Sequence, residues 1–83
     1  MVVVNITVKF FASFRETVNK DSMVMSLPEG ATVDAMLNHL KAQYPVLRKY
    51  EAMIVAVNKQ YQHGDFLLKD GDEVAIMPPI SGG

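Results

Sequence analysis

Glu73-Val74-Ala75-Ile76-Met77-Pro78-Pro79-Ile80-Ser81-Gly82-Gly83 closes the sequence, and its reading decides the fold. From Glu73 to Met77 the residues alternate, with Val74 and Ile76 on one face and Ala75 and Met77 on the other. That is the period-two pattern of a strand with one buried face. Asp70-Gly71 just upstream is a strong turn signal. Pro78 and Pro79 stop the strand, because proline has no N–H to give a sheet ladder and its φ is fixed. The same prolines bias the root of the last segment toward the extended polyproline conformation. Gly82 and Gly83 lack a Cβ, so this end can enter a slot too narrow for other residues. From Pro79 to Gly83 the chain extends at most about 14 Å, at roughly 3.3–3.6 Å per residue. The segment therefore reads as a core strand that hands over to a tail: a domain over residues 1–79 and a flexible Gly-Gly tail over 80–83.

The chain upstream supplies the partners of that strand. Val2, Val4, Ile6, Val8 and Phe10 alternate with Val3, Asn5, Thr7 and Lys9, which predicts a first strand with a strongly apolar inner face. Phe11 to Thr17 is a short irregular or helical link, and Asn19-Lys20-Asp21 is a polar loop. Met23, Met25 and Leu27 then alternate with Ser22, Val24 and Ser26, a second strand that pairs antiparallel with the first. Pro28-Glu29-Gly30 is a turn by composition. Thr32 reads as a helix N-cap with Asp34 in the first turn, where the helix dipole favours a carboxylate. Val33, Met36, Leu37, Leu40 and Tyr44 fall on one helical stripe, and the helix ends before Pro45. Met53 to Val57 is a third strand, Asn58-Lys59 a turn, and Gln60 to Gln62 a short fourth strand. His63-Gly64-Asp65 is a loop, after which Phe66-Leu67-Leu68 re-enters the core. The order strand, strand, helix, strand, short strand, strand predicts an α+β domain, with a mixed sheet covered by one main helix. First and last strands, the most apolar, lie centrally and side by side. This is the β-grasp, or ubiquitin-like, architecture, with the helix stripe packed on Val4, Ile6, Val8, Val74 and Ile76.

Composition narrows the chemistry. At 83 residues and 49% hydrophobic content the chain is one small globular domain. A net charge of −1 with both signs scattered argues against the basic face that nucleic acid or an anionic membrane requires. There is no cysteine, which removes disulfides, thiol catalysis, Fe–S clusters and thiolate zinc sites together, and suits the cytoplasm. The longest apolar runs are far short of a membrane span, and the N-terminus lacks the basic region of a signal peptide.

The candidate functional residues gather at the tail. An α-carboxylate is ionised at pH 7 and inert as an electrophile, so it must be activated, for example as a mixed anhydride with AMP. An unbranched glycyl carbonyl is then open to attack. No general acid or base sits in the tail, so catalytic groups come from other proteins. If the first strand continues, Phe11 points outward, as Met77 does, and the two form an apolar patch beside the tail, a mark of a partner surface. Elsewhere the plainer readings prevail. His39 and His63 are solvated surface residues, and Arg15 beside Glu16 is a solvated pair. Asp70, Asp72 and Glu73 are turn chemistry and a solvated edge. The methionines Met23, Met25 and Met36 fill core rather than bind a metal.

Phe10-Phe11-Ala12-Ser13-Phe14-Arg15-Glu16, Val57-Asn58-Lys59 and above all the block from Asp70 to Gly83 resemble the small subunit of molybdopterin synthase, and the resemblance runs from Val2 to Gly83. A Gly-Gly end alone also fits the thiamin sulfur carrier, the tRNA-thiolation carrier and ubiquitin-like protein modifiers. The Glu-Val-Ala-x-x-Pro-Pro-x-x-Gly-Gly pattern favours the molybdopterin branch. Aromatic residues often precede the prolines in that family, whereas Ile76 and Met77 stand here. The resemblance implies a β-grasp sulfur carrier. An adenylating enzyme of the ubiquitin-activating type uses ATP to attach AMP to Gly83, and a persulfide donor converts the adenylate to a thiocarboxylate. The large synthase subunit then spends that sulfur on the dithiolene of molybdopterin, from a cyclic pyranopterin precursor, within a heterotetramer. The carrier binds no cofactor of its own, and the catalytic side chains belong to the large subunit. Gly83 is the reacting end, and Phe11, Arg15, Met77, Pro78, Pro79, Ile80, Ser81 and Gly82 form the partner-binding surface.

Overall fold

A computed structural model describes residues 2–50 and 53–79. Its elements, in order, are β1 (Val3–Phe10), α1 (Ser13–Val18), β2 (Ser22–Pro28), α2 (Val33–Gln43), a 3-10 turn (Pro45–Lys49), β3 (Ile54–Val57), β4 (Gln60–Tyr61) and β5 (Glu73–Met77). The five strands form one mixed sheet in the order β2-β1-β5-β3-β4. β1 and β5 are parallel neighbours, with Phe10 opposite Ile76, while β1 pairs with β2 and β5 with β3 antiparallel. One sheet with α2 across one face is the β-grasp arrangement, and the two most apolar strands are central, where the helix covers their inner-face side chains.

Local chemistry sets each boundary. The Thr32 hydroxyl accepts from the Ala35 N–H (3.2 Å) and so caps α2. Tyr44 ends the helix, since the residue before a proline is pushed out of the α region. Asn58 and Lys59 have φ of 51° and 73°, the two left-handed residues that a tight β-hairpin turn between β3 and β4 demands. Gly71, at φ 87°, turns the chain into β5.

The core lies between the sheet and α2. Ile6, Val8, Val74 and Ile76 from the sheet and Val33, Met36 and Leu40 from the helix are fully buried. Truncating one such side chain to alanine costs about 2–5 kcal/mol, through lost transfer energy and the cavity left behind. Leu37 departs from the expected stripe: it is half-buried and packs on the margin of the core, because it faces an open groove beside Met53 and Val55. Val2 is 65% exposed, since β1 begins at Val3 and nothing roofs the strand's first residue. Only Leu68 of the Phe66-Leu67-Leu68 run is buried; Phe66 is half-buried, and Leu67 is exposed beside Thr32 in an isolated bridge.

Two features of the core lie outside the periodic pattern. The link after β1 is a helix whose Phe14 is among the largest fully buried side chains, its ring edge-on to Tyr50 at 4.7 Å. Asp72, expected on a solvated edge, is the buried charge of the domain among the described residues. Its carboxylate accepts from the Asn58 side-chain amide (2.9 Å) and from the Lys69 N–H (2.8 Å), while Asn58 in turn accepts from the Glu73 N–H (3.0 Å). Burial is tolerable because the carboxylate is supplied with donors, and the network ties the β3–β4 turn to the start of β5.

Candidate functional site

β5 ends at Met77 and delivers Pro78, half-buried, and Pro79, exposed, to the same end of the sheet at which β1 finishes. The expected tail residues Ile80, Ser81, Gly82 and Gly83 lie outside the described residues. The root of the tail is therefore what the structure defines.

The surroundings of that root are set by register. Beyond the end of β1 the Phe11 N–H donates to the Ile76 carbonyl (3.1 Å), so the ladder runs one residue further and sets Phe11 beside Met77. Met77 in turn pairs with Ile54 of β3. Phe11, Met77 and Ile54 thus form a row across the outer face, the one α2 does not cover. Phe11 is 41% exposed, and Met77 and Ile54 are half-buried. The next row carries Lys9, Ala75, Ala56 and Tyr61, of which Tyr61 is 75% exposed. The outer face thus carries partly exposed apolar side chains in adjacent rows rather than singly.

Local backbone strain holds Phe11 in place. Ala12 sits at φ 54° and ψ −134°, a conformation natural to glycine and costly for an L residue. It reverses the chain so that the Phe14 N–H reaches the Phe11 carbonyl (3.2 Å) and Phe14 drops into the core while Phe11 stays outside. Arg15, one turn further, is exposed and lies 3.9 Å from the Asp21 carboxylate, not paired with its neighbour Glu16 as the sequence suggests. Helical geometry separates adjacent residues by about 100°, which turns Arg15 toward the loop before β2. Phe11, Arg15 and Asp21 border an open cleft of about 300 Å³.

The structure brings Phe11, Arg15, Met77, Pro78 and Pro79 to one end of the molecule. Ile54, Ala75 and Tyr61 join them and were missed by sequence reasoning. The alternation of Ile54 and Ala56 against Val55 and Val57 carried the signal for their facing outward, but only the pairing of β3 with β5 puts them beside Met77. His39 and His63 are both exposed. No three His, Asp or Glu side chains converge among the described residues. Among those residues no helix is long and apolar enough to cross a membrane.

Comparison with known proteins gives this geometry a family. The ThiS family model matches residues 8–83. A Drosophila melanogaster protein named molybdopterin synthase sulfur carrier subunit is 37% identical over 98% of the chain and 93% of its own length. A Pyrococcus furiosus structure described as molybdopterin converting factor subunit 1 is 34% identical, with a TM-score of 0.85 over 93% of this chain and 99% of that one. SAMP1 of Haloferax volcanii is 26% identical, with a TM-score of 0.83 over 95% of this chain and 99% of that one. With a β-grasp sheet that leads its last strand into a Pro-Pro-x-x-Gly-Gly end, and with these relatives over nearly its whole length, the chain belongs to the ThiS family, in the group of molybdopterin synthase sulfur carrier subunits.

Proposed function

We propose that this chain carries sulfur on Gly83 for molybdopterin synthesis, as the small, non-catalytic subunit of the synthase. The observation that carries this reading is the position of the tail root: it leaves the central strand β5 beside the outward row of Phe11, Met77 and Ile54. A partner that docks on that row receives the tail directly into its own site, and the family match runs through Gly83.

The chemistry runs in balanced steps. A Gly83 carboxylate oxygen attacks the α-phosphorus of ATP within an adenylating enzyme of the ubiquitin-activating type, and pyrophosphate leaves. The terminal sulfur of a persulfide attacks the acyl adenylate and AMP leaves; reductive cleavage of the acyl disulfide by a thiol then frees the thiocarboxylate. The large synthase subunit takes the tail, and its side chains direct the sulfur onto the cyclic pyranopterin precursor, in a cytoplasmic heterotetramer. This chain contributes orientation and a sulfur held on carbon, with no cysteine of its own. The extended root aims the reactive end, and positioning matters because an error of about 1 Å can cost roughly 100-fold in rate.

Mass spectrometry of the protein isolated from its own cell tests the reading. A fraction in which one oxygen has been replaced by sulfur at the C-terminus, together with co-purification of the large subunit, is expected. The likeness to SAMP1 favours one second reading, a protein modifier joined through Gly83 to lysines. Branched peptides from such conjugates, with no sulfur-bearing end, would decide for it. Co-purification of thiamin or tRNA-thiolation enzymes in place of the large subunit would reassign the pathway.

A further inference from the structure

The charges of this nearly neutral chain are sorted by end. Around the tail root stand Lys9 at the end of β1, Arg15 and Lys20 in and after α1, Lys41 in the last turn of α2, and Arg48 and Lys49 in the 3-10 turn. The ring contacts Phe14–Tyr50 and Phe10–Tyr44 fix the 3-10 turn and the end of α2 against that same end of the sheet. These six of the eight cations face three described carboxylates there, Glu16, Asp21 and Glu73. The opposite end reverses the balance. Glu29, Asp34, Asp65, Asp70 and Asp72 gather around the start of α2 and the loops beside the first half of β1, against Lys59 and Lys69. Lys9 is paired with Glu73 (3.2 Å), and Arg15 stands near Asp21. Lys20, Lys41, Arg48 and Lys49 form no ion pair with another described residue.

We propose that these cations form a collar that steers the tail, end first, onto partners whose tail-accepting slot has an acidic rim. The inference rests on the docking reading above and adds the electrostatic character of the partner. Lys9 and Arg15 line the cleft beside Phe11, and Lys20 stands next to Arg15, so a protein seated on the Phe11, Met77 and Ile54 row meets the near side of the collar directly and feels the rest over a Debye length of about 8 Å at physiological ionic strength. A carrier has a particular need for this device. It must visit one partner to be loaded and another to be unloaded, so tight binding through slow release would stall it. Long-range attraction raises the association rate, while dissociation is governed by the short-range apolar row. The acidic far end reinforces the orientation by repelling the same rim.

The test is stopped-flow association of the full chain with purified molybdopterin synthase large subunit from the same organism, from about 20 to about 300 mM NaCl, a range over which screening becomes strong. The expected association rate constant falls about tenfold or more across that range, with the dissociation rate nearly constant. The exposed double variant Lys20→Glu/Arg48→Glu is expected to flatten the salt dependence at an unchanged melting temperature, and Lys20→Gln/Arg48→Gln to flatten it in part. A salt-independent association rate, or the wild-type slope in the double variant, overturns the proposal. So does tighter binding to RNA or to phosphatidylserine vesicles than to the large subunit at equal salt. Met77→Asp separates this inference from the docking reading. An unchanged dissociation rate in that variant defeats the docking surface, while a salt slope carried by Lys20 and Arg48 would still uphold the collar.

Discussion

The two faces of β5 meet opposite surroundings within five residues. Val74 and Ile76 are sealed beneath α2 with no exposure at all, whereas Ala75 and Met77 stand half-open on the far side. The inner face has a partner within the chain, so its apolar side chains hold the fold together. The outer face has none among the described residues, and Phe11, Met77 and Ile54 leave apolar surface in water. Strand alternation thus lets one central element serve stability on one side and, in the function proposed above, docking on the other.

The largest effect is expected at the tail. Deleting Gly83 is expected to abolish conversion of the precursor by the complex, at least about 100-fold, because the activated carbon is missing or misplaced. The melting temperature should not move. Conversion near the normal rate would remove Gly83 from the chemistry.

On the inner face, Leu40→Ala is expected to cost about 2–5 kcal/mol in urea unfolding, because Leu40 is fully enclosed. Leu37→Ala, at the open margin, should cost less, about 1–2 kcal/mol, since part of its apolar area is left open to water. Equal losses at the two positions would mean that the groove beside Leu37 is closed in solution.

The outer face predicts the reverse partition. Met77→Asp should weaken binding to the large subunit by about 2 kcal/mol, roughly 30-fold, with little effect on unfolding. Isothermal titration and thermal melts on the same preparation check both halves. A melting point lowered as far as that of Leu40→Ala would make Met77 a core residue.

The smallest effect sharpens the boundary between the faces. Ala12 holds a backbone conformation suited to glycine, so Ala12→Gly should raise stability by up to about 1 kcal/mol. Freed of that constraint, Phe11 should also bind its partner slightly more weakly. A destabilised Ala12→Gly protein would show that the turn carries no strain.

Much of this was legible in the residues. Alternation named the five strands, and the Thr32 cap with the stripe from Val33 to Leu40 named the helix. The Pro78-Pro79 stop ended the last strand at Met77. These signals are local: a strand repeats every two residues, a helix every 3.6, and proline acts on its own backbone, so neighbouring residues suffice to reveal them. The surroundings of each element are a different matter. That Phe14 plugs the core, that Arg15 turns to Asp21, that Asp72 is buried under Asn58 and Lys69, and that Leu37 stays half-open depend on residues distant in sequence. The docking surface divides in the same way. Sequence alone set Met77 outward at the root of the tail. Sequence also set an outward Phe11 near it; only the pairing of β5 with β3 brought Ile54 to its other side, because register across strands is decided by which faces the whole core can bury at once.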